Sequence, residues 1–526
     1  MTLADLIAPG SGRTRLHFLD ESISVDYGEL WKAGEAMGCL RASCDGKPVA
    51  VVLTNSRACA TAVVGAVAAG QPLVSVPMPA RGAAPDWYAR FIQRMCALTG
   101  AEVMLVDRSL LPLLPPMEKV SFVSFEDALS LSGPRAVDPA AFTLTQFTSG
   151  STAEPKGVVL SGDKIVANLL ALVEWLEVGP GDHVCTWLPL SHDMGLMGTF
   201  LGSLTAAGDR WARGLDLALM TPQGFLRGPA RWLSACEEYG ATITVAPNYA
   251  YDMAARKRGP AHDLRRLRTC VVGAEPIRVQ SLERFSRVFG DSGFDPTAFC
   301  PAYGMAEAAL AVTGTPVGVR WHATEIEPFP DDPRVGTDAA QGYQVVSSGV
   351  SLPGYGVRID GDGIGEILVK GPSVADSYTG GTRLPDADGW FHTRDLGVLR
   401  DGQLYVLGRT DDVFHVAGRN VYALDVEAFA AEVTGVRSGR VVAIPENGDL
   451  TLVAECEPAY CDRDSAARLA QALRQQIVAR LGVRPRRVLL TRRGVLPMTS
   501  SGKIRRKPLA AALQSSEVKI LAGSLE

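Results

Sequence analysis

A run of small hydroxyl residues, glycines and one lysine occupies positions 148–157, with the sequence TSGSTAEPKG. It follows the apolar stretch AAFTLTQF, which is typical of a β-strand. Glycines and small side chains let backbone N–H groups approach an anion closely, and Lys156 adds a compact positive charge suited to phosphate. The common GxxxxGK[ST] loop does not fit, because Lys156 precedes Gly157 and a valine follows. The run favours a phosphate-binding loop, with a plain surface loop as the alternative.

Seven further segments contain charged, aromatic and glycine residues that fit one chemistry when they are taken together. They are WLPLSHDMGLMG (187–198), APNYAYDM (246–253), VVGAEP (271–276), PAYGMAEAAL (301–310), GWFHTRDLG (389–397), GRTDDVFHVAGRNVYALDVE (408–427) and LPMTSSGKIRRKPL (496–509). With the loop at 148–157 they resemble, in type and in order, the motifs of the acyl-adenylate-forming superfamily. That superfamily includes acyl-CoA ligases, fatty acyl-AMP ligases, peptide-synthetase adenylation domains and luciferases. Eight ordered segments make the resemblance specific, and it covers nearly the whole chain.

The resemblance implies ATP and Mg²⁺ as cofactors. The residues implied to hold the β- and γ-phosphates are Thr148, Ser149, Gly150, Ser151, Thr152 and Lys156. Glu307, in the segment YGMAE, is implied as the Mg²⁺ ligand, and a surface carboxylate at the start of a helix is the alternative. Mg²⁺ suits one or two carboxylates plus substrate phosphates. Charge develops on phosphate and carboxylate during adenylation, so cations and N–H donors are needed more than a nucleophile.

The resemblance also implies a nucleoside site. The residues implied to enclose the adenine are Gly273, Ala274, Glu275, Tyr303 and Gly304. Asp395 would accept hydrogen bonds from the ribose hydroxyls, and Arg409 would contact the ribose or the α-phosphate. Apart from the resemblance, Tyr303 is a candidate core residue, and a charged pair near a turn is usually a solvated ion pair.

Four more residues receive roles from the resemblance. Lys503, in the polar tail TSSGK, would bridge the carboxylate and the α-phosphate, with an ordinary basic tail as the alternative. His192 would lie at the mouth of the acyl pocket, although a lone histidine is more often structural. Asp411 would be the hinge about which a small C-terminal domain rotates between half-reactions. Gly418 would then line the tunnel for a phosphopantetheine thiol.

The branch of the superfamily that the chain resembles indicates which thiol accepts the acyl group. PLSHDMG, APNYAYD, YGMAEA and AGRNVYALDVE resemble the fatty acyl-AMP ligases, which load acyl groups onto a carrier protein. That branch also carries an extra segment before the ribose motif, and only TGGTRLPDADG separates Tyr378 from Trp390 here. Its near absence favours CoA as acceptor, with the phosphopantetheine of a carrier protein as the alternative. Arg394 stands where the family usually has glycine, so a chain limited to the second half-reaction, from acyl-AMP to thioester, is a further alternative.

The acid itself is not identified by the sequence. The resemblance places its pocket within 190–250 and 270–310. The aromatic candidates are Trp211, Phe225, Tyr249 and Tyr251, which are equally candidates for the core. A non-catalytic nucleotide- or acyl-AMP-binding protein is a rival from another class, and lack of pyrophosphate release with any acid would favour it.

Strands that alternate with helices must position these residues. Apolar runs predict buried strands at 48–53, 72–76, 103–106, 243–246 and 269–273, with a helix at 56–70. We therefore expect an α/β fold: a large N-terminal domain (1–408) with parallel sheets and a small barrel-like part. A hinge at 409–412 and a mobile C-terminal α+β domain (413–526) follow, with helices predicted in that domain at 426–433 and 463–481. The glycines at 361, 363 and 365 precede a strand, which indicates a hairpin turn and no dinucleotide loop.

Composition narrows the partners. The 526 residues exceed one ordinary core, and a net charge of -5 gives no footprint for nucleic acid. The most apolar stretch, 59–77, contains Gln71 and Pro72, which argues against a membrane span. Ten cysteines without CxxC pairs favour reduced thiols and a cytoplasmic location, as does the lack of a secretory signal.

Overall fold

The fold was analysed in a computed structural model of the chain. The residues it describes are 1–10, 14–77, 85–114, 116–148, 156–207, 215–257, 259, 262–326, 343–361, 363–416, 419–446, 449–498, 504–515 and 517–524.

The strands of the large domain follow in chain order. They are β1 (Arg15–Phe18), β2 (Ile23–Asp26), β3 (Val49–Val52), β4 (Leu73–Val76), β5 (Val103–Val106), β6 (Ser121–Ser124), β7 (Thr143–Thr148), β8 (Lys156–Ser161), β9 (His183–Thr186), β10 (Asp216–Leu219), β11 (Ile243–Pro247), β12 (Thr269–Gly273), β13 (Phe299–Gly304), β14 (Ala311–Gly314), β15 (Ala323–Ile326), β16 (Tyr343–Val346), β17 (Val350–Ser351), β18 (Gly356–Asp360), β19 (Gly365–Lys370), β20 (Phe391–Arg400) and β21 (Gln403–Arg409).

Helices pack around these strands. They are α1 (Leu3–Ile7), α2 (Tyr27–Trp31), α3 (Gly34–Ser43), α4 (Arg57–Ala69), α5 (Pro85–Thr99), α6 (Phe125–Leu129), α7 (Gly162–Trp175), α8 (Gly202–Ala207), α9 (Pro222–Arg227), α10 (Ala230–Glu238), α11 (Asn248–Arg256) and α12 (Val279–Phe289), with a π-helix at Met194–Leu201.

Two mainly parallel sheets form the large domain. One has the strand order β6-β5-β3-β4-β7-β8, and the other has the order β17-β14-β13-β12-β11-β9-β10-β1-β2. Every residue of β3, β4, β11 and β12 is buried, because helices or the other sheet cover both faces. This confirms the parallel-sheet prediction made from the apolar runs.

A four-stranded antiparallel sheet, β18-β19-β20-β21, forms the predicted barrel-like part. β18 and β19 are neighbours in chain and sheet, so the glycines at 361–365 lie in a hairpin turn as predicted. Within β20, Asp395 pairs with Arg409 of β21, which brings two predicted nucleotide ligands side by side.

The small domain has its own sheet and its own core. Its elements are β22 (Val413–Val416), β23 (Arg419–Tyr422), α13 (Ala423–Ala431), β24 (Val436–Glu446), β25 (Asp449–Cys456), α14 (Arg463–Leu481), β26 (Arg487–Thr491), α15 (Arg506–Gln514) and β27 (Ile520–Ser524). The sheet order is β24-β25-β26-β27, with apolar clusters on both faces. Helix α14 begins where the Asp462 side chain accepts from Ser465 N and ends at Gly482, whose φ is 63°. Its bounds match the predicted helix.

Across the portion of the chain given above, no helix combines the length and the apolar character that crossing a bilayer requires.

Candidate active site

The carboxyl ends of three neighbouring parallel strands form one edge of the larger sheet. β11 ends at Pro247, β12 at Gly273 and β13 at Gly304. Ligands of open α/β sheets bind at this kind of edge. A Cβ on Gly304 would lie 1.8 Å from the Leu310 carbonyl oxygen, and one on Gly273 would lie 3.1 Å from that of Ala302. Gly304 therefore has no room for a side chain, and Gly273 is crowded, as expected where backbones approach closely.

The turn after β12 is held by Glu275. Ala274 has a φ of 64°, so the chain turns sharply there. The Glu275 Oε1 then accepts the backbone N–H of Tyr249, with N and O 2.5 Å apart. Tyr249 lies in the first turn of α11, where unpaired N–H groups favour a carboxylate. The Glu275 side chain is thus used in positioning, which leaves the backbone of 273–275 as the part that can face a nucleotide.

Asp395, predicted to bind the ribose, is contacted by Tyr303 and Arg409. The Tyr303 hydroxyl donates to Asp395 Oδ2 at 2.7 Å, and Arg409 Nε lies 3.7 Å from Asp395 Oδ1. Burial raises the pKa of the Tyr303 phenol, and the neighbouring Asp395 charge raises it further, so the phenol remains a donor. The pair fixes a partly buried carboxylate at the sheet edge, beside Gly304.

A β-bulge in β20 sets the direction of the Asp395 side chain. Glu366 of β19 pairs with Leu396, whereas Leu368 pairs with His392, so three residues of β20 face one residue of β19. Arg394 lies at the middle of this bulge with a φ of 62°. Bulges re-aim side chains next to active sites, and a left-handed residue in one is usually glycine. The observed φ explains why the resemblance predicts glycine at this position.

Glu307 lies across the site in a short 3₁₀ turn, Ala306–Ala308. Its Oε1 accepts the Tyr378 hydroxyl at 2.8 Å. Burial raises the pKa of the Glu307 carboxyl, and the bond from Tyr378 opposes that rise. Lys156 Nζ lies 5.6 Å from the centre of the Tyr378 ring. Tyr378 therefore stands between the implied metal ligand and the implied phosphate lysine, and the motif pattern had not singled it out.

The carboxylate oxygens of Glu307 are suitable ligands for Mg²⁺. A buried carboxylate whose charge is disfavoured by burial gains from a nearby divalent cation. Among the residues the structure describes, no group of three metal-binding side chains occurs, so phosphate oxygens would have to complete the coordination. Glu307 would hold the ion, which when bound would neutralise phosphate charge.

His192 and Asp193 reach the same region from the loop before the π-helix. His192 Nδ1 lies 2.5 Å from Asp193 Oδ1, and Asp193 Oδ1 accepts Met194 N at 2.7 Å. Asp193 thus caps the π-helix. Its charge also adds to the raised pKa of Glu307, which places the two carboxylates near one another. The sequence could have pointed to Asp193, because Asp193 belongs to the SHDMG segment. No sequence motif contains Tyr378.

The segment predicted to bind phosphate lies between two antiparallel strands, β7 and β8. Thr148 at the end of β7 pairs with Lys156 at the start of β8. Several predicted residues lie outside the described ranges, so the structure gives no account of them: Ser149, Gly150, Ser151, Thr152, Trp211, Gly418 and Lys503. Thr148 ends β7 and Asp411 belongs to the turn Thr410–Asp412, but their side chains are not described.

Two of the predicted pocket aromatics lie in the core. Phe225 is fully buried and stacks on Trp187, with ring centres 3.9 Å apart. Tyr251 is also fully buried, and its hydroxyl donates to the Val271 carbonyl oxygen at 3.2 Å. Tyr249 remains at the edge of the site, beside Glu275.

Comparisons with known proteins identify the family of the chain. The AMP-binding enzyme family matches residues 8–379. The long-chain-fatty-acid–AMP ligase FadD26 of Mycobacterium tuberculosis is 30% identical over 528 residues, covering 90% of this chain and 88% of that protein. A 4-hydroxyphenylalkanoate adenylyltransferase of the same species is 32% identical over 433 residues, covering 72% of this chain and 67% of that protein.

A solved structure from a study of fatty acyl-adenylate ligases of E. coli and L. pneumophila has the same fold. Its TM-score is 0.85 at 26% sequence identity, and the match covers 98% of each chain. The large and small domains both have counterparts over that length. The chain therefore belongs to the AMP-binding enzyme family and is an acyl-adenylate-forming ligase.

Proposed function

We propose that this enzyme uses Mg·ATP to convert a carboxylic acid into its acyl-AMP and then transfers the acyl group to CoA. The observation that carries the first step is the ring of groups around one sheet edge: Glu307 with Tyr378, Lys156 beside them, and Asp395 with Tyr303. Two carboxylates and a lysine around the implied phosphate and ribose positions suit attack of a carboxylate on the α-phosphate. Position and charge, with no covalent nucleophile, would supply the catalysis.

Lys503 is proposed as the lysine that stabilises this attack. Met498 bridges Ile504 in antiparallel fashion, on either side of the segment 499–503 that contains Lys503 and lies outside the described residues. The Arg440 guanidinium contacts Met498 Sδ at 3.6 Å. Burial lowers the pKa of Arg440, and the carboxylates of Glu455 and Glu275 oppose this. Met498, on one side of the segment that contains Lys503, thus contacts an arginine whose pKa responds to Glu275 of the proposed adenine site.

A hinge at 409–412 is proposed to let the small domain (413–526) rotate away from the large one (1–408). Arg506 donates to Asp412 in the turn and to Glu427 of α13, at 2.6 Å each. An arginine three positions beyond Lys503 is therefore joined to the turn. Rotation would bring Gly418 to the site for attack by a thiol.

CoA is proposed as the acceptor because the segment before the ribose motif is short and tightly folded. Tyr378 N donates to Thr382 O at 2.9 Å, and Asp386 N donates to Trp390 O at 2.8 Å. The extra segment that the resemblance implies for carrier-loading ligases, where it would restrain the rotation, is therefore absent or nearly absent between Tyr378 and Trp390. A carrier-protein phosphopantetheine is the second candidate, because FadD26 is named an AMP ligase and the fatty acyl-AMP ligases that the motifs resemble load carrier proteins.

The test is pyrophosphate release from Mg·ATP across a panel of carboxylic acids, run without thiol, with CoA, and with a holo carrier protein. We expect acid-dependent release that Lys503→Ala abolishes and that the matched control Lys507→Ala, an exposed lysine on α15, leaves intact. Faster turnover with CoA supports the proposed acceptor, and faster turnover only with the carrier overturns it. If no acid releases pyrophosphate but purified acyl-AMP gives thioester, the enzyme performs only the second half-reaction.

A further inference from the structure

Two cysteine thiols lie side by side in the small domain. Cys456 is the last residue of β25, and Cys461 immediately precedes Asp462, whose side chain caps α14. The Sγ atoms of the two cysteines are 3.5 Å apart. Because the S–S bond of a disulfide is about 2 Å long, an approach of roughly 1.5 Å would join the two sulfurs. The pair is therefore within reach of a disulfide, although both thiols are reduced in this structure.

The turn between the two cysteines is held by contacts of its own. Glu457 N donates to the Gly435 carbonyl oxygen and Tyr460 N donates to the Glu457 carbonyl oxygen, at 2.8 Å each. The Tyr460 ring packs over Gly435, where a Cβ atom would lie only 2.9 Å from a ring carbon. Because the backbone of the turn is fixed in this way, the short distance between the thiols is built into the fold.

The two thiols differ in their access to solvent. Cys461 is half-buried, whereas Cys456 is 1% exposed. Burial, then the hydrogen bond and the charge of Cys461, raise the pKa of the Cys456 thiol to about 12, so Cys456 stays protonated. Its S–H group donates to the Thr491 carbonyl oxygen at 3.2 Å. A small oxidant in water would therefore meet Cys461 first, with Cys456 behind it.

The other cysteines lack this arrangement. All ten cysteines lie within the described residues, and Cys44 is the other one that is partly exposed. No hydrogen bond joins Cys44 to a second thiol in the described part of the chain. Cys185 and Cys236 are neighbours, but both are buried. The pair in the small domain thus combines an accessible sulfur with a second thiol in contact with it.

We propose that a peroxide oxidises Cys461 and that Cys456 then forms a reversible disulfide with it. In the first step the Cys461 thiolate attacks a peroxide oxygen. The S–O bond forms, the O–O bond breaks, and the leaving oxygen takes the proton that the thiol gave up to water. In the second step the Cys456 sulfur attacks the sulfur of the Cys461 sulfenic acid. The S–S bond forms, and the hydroxyl group leaves with the Cys456 proton as water.

The two thiols together lose two electrons, and one peroxide is reduced. The disulfide protects Cys461, because a sulfenic acid without a partner thiol is oxidised further to a sulfinic acid, which thiol reductants do not reverse. Cys456 is thus the resolving thiol of the pair, and a thiol reductant returns both residues to their starting state.

Trypsin makes the experiment direct. Cleavage after Arg440 and Arg463 releases the peptide 441–463, which contains Cys456, Cys461 and no other cysteine. The folded full-length chain is treated with hydrogen peroxide, the remaining thiols are blocked with N-ethylmaleimide in denaturant, and the peptides are weighed by mass spectrometry. We expect 441–463 to lose two hydrogens and to take up no blocking group, and dithiothreitol to restore both thiols. Cys44→Ser, which removes the other partly exposed thiol, should leave this result unchanged.

Cys456→Ala tests the protective role. Cys461 then lacks its partner, so we expect the fraction of Cys461 recovered as sulfinic acid to rise severalfold over wild type at the same peroxide exposure. Cys456→Ser keeps a donor for the Thr491 carbonyl oxygen, so the same rise in that variant would exclude a loosened fold as the cause.

Three results on the wild-type chain would each overturn the proposal. They are a peptide 441–463 that takes up both blocking groups after peroxide, a Cys461 sulfinic acid beside a blocked Cys456, and a disulfide that joins two chains. An equal fraction of sulfinic acid in wild type and Cys456→Ala would overturn it as well. The wild-type mapping decides the question even if neither variant at position 456 folds.

Discussion

At the scale of single residues, each of the two carboxylates proposed to bind the ribose and Mg²⁺ has a tyrosine partner. Tyr303 donates to Asp395 and Tyr378 donates to Glu307, at 2.7 and 2.8 Å. A hydrogen bond to the charged form of a carboxylate favours ionisation and restricts the orientation of the group. In the proposed function, the tyrosines would thus hold Asp395 ready for the ribose hydroxyls and Glu307 ready for a cation before any ligand binds.

Replacing Tyr378 with phenylalanine tests this preparation. Loss of a hydrogen bond to a charged group is worth about 1.5–3 kcal/mol, so we expect kcat/KM for Mg·ATP to fall roughly tenfold or more. The melting temperature should change little, because the hydroxyl lies at the site and the ring remains. The measurement is steady-state pyrophosphate release over a range of Mg·ATP concentrations.

Tyr355→Phe is a matched control. The Tyr355 hydroxyl donates to Ser373 Oγ at 2.7 Å and accepts Asn168 Nδ2 at 2.9 Å, within the buried core. Its loss should lower stability while kcat/KM stays near the wild-type value. If Tyr378→Phe and Tyr355→Phe lose activity equally, the loss in Tyr378→Phe is a general effect on the structure. The Tyr378 hydroxyl then has no specific role in orienting Glu307.

At the scale of elements, Asp182 connects the end of α7 with β11 and β12. Its Oδ1 accepts Thr242 Oγ1 at 2.6 Å and Arg268 Nε at 2.9 Å, and its Oδ2 accepts Gly179 N at 2.8 Å. Burial acts to raise the pKa of Asp182, but the bonds from Arg268, Thr242 and Gly179 outweigh it, so the pKa lies below its ordinary value of 3.8. The ionised form is the one that stabilises the fold.

A lowered pKa fixes the sign of the pH effect. The stabilisation by Asp182 is complete above pH 3.8 and is lost as pH falls through the lower, folded-state pKa. We expect Asp182→Asn to lower the free energy of unfolding by about 2–4 kcal/mol near pH 7. The difference from wild type should begin to narrow below about pH 4 and should be smallest below the folded-state pKa, where both side chains are neutral.

Urea unfolding followed by tryptophan fluorescence is the measurement. All eight tryptophans precede residue 408, so the signal reports the large domain alone. If the difference in the free energy of unfolding between wild type and Asp182→Asn stayed constant from pH 7 to pH 3, the stabilisation would not depend on ionisation of Asp182.

At the scale of the whole molecule, Asn55 joins the two large sheets. It follows β3 of one sheet, and its Nδ2 donates to the Leu188 and Met220 carbonyl oxygens beyond β9 and β10 of the other, at 2.9 and 2.8 Å. Its Oδ1 accepts Leu190 N at 3.0 Å. Leu190 immediately precedes the loop of His192, so the contact between sheets also positions one wall of the site.

Asn55→Ala should therefore affect both stability and activity. One buried donor and two buried acceptors lose their partner, which costs about 2–4 kcal/mol in the free energy of unfolding. Pyrophosphate release should fall as well, since the loop at 190–193 loses its support. Full activity at a temperature where the variant is folded would show that the loop is positioned without Asn55.

How far the fold and the site could be predicted from the sequence depends on whether the interactions that fix each feature are local or distant along the chain. Apolar runs predicted strands such as β5 and β12 and the helix α14 to their end residues, because burial and capping act locally. The helix predicted at 426–433 begins earlier, at Ala423, where no local signal marks the start. The motifs identified the residue types, and their order along the chain identified the family.

The sequence by itself thus determined the chemistry, since a phosphate loop, two carboxylates and a lysine can be recognised without knowing where they lie. Only the tertiary structure decided which side chains meet. Tyr378 reaches Glu307 over 71 positions, and Tyr303 reaches Asp395 over 92. Such contacts depend on strand register and on the bulge at Arg394, which arise from the balance of hydrogen bonds over the whole sheet and leave no periodic trace in the chain.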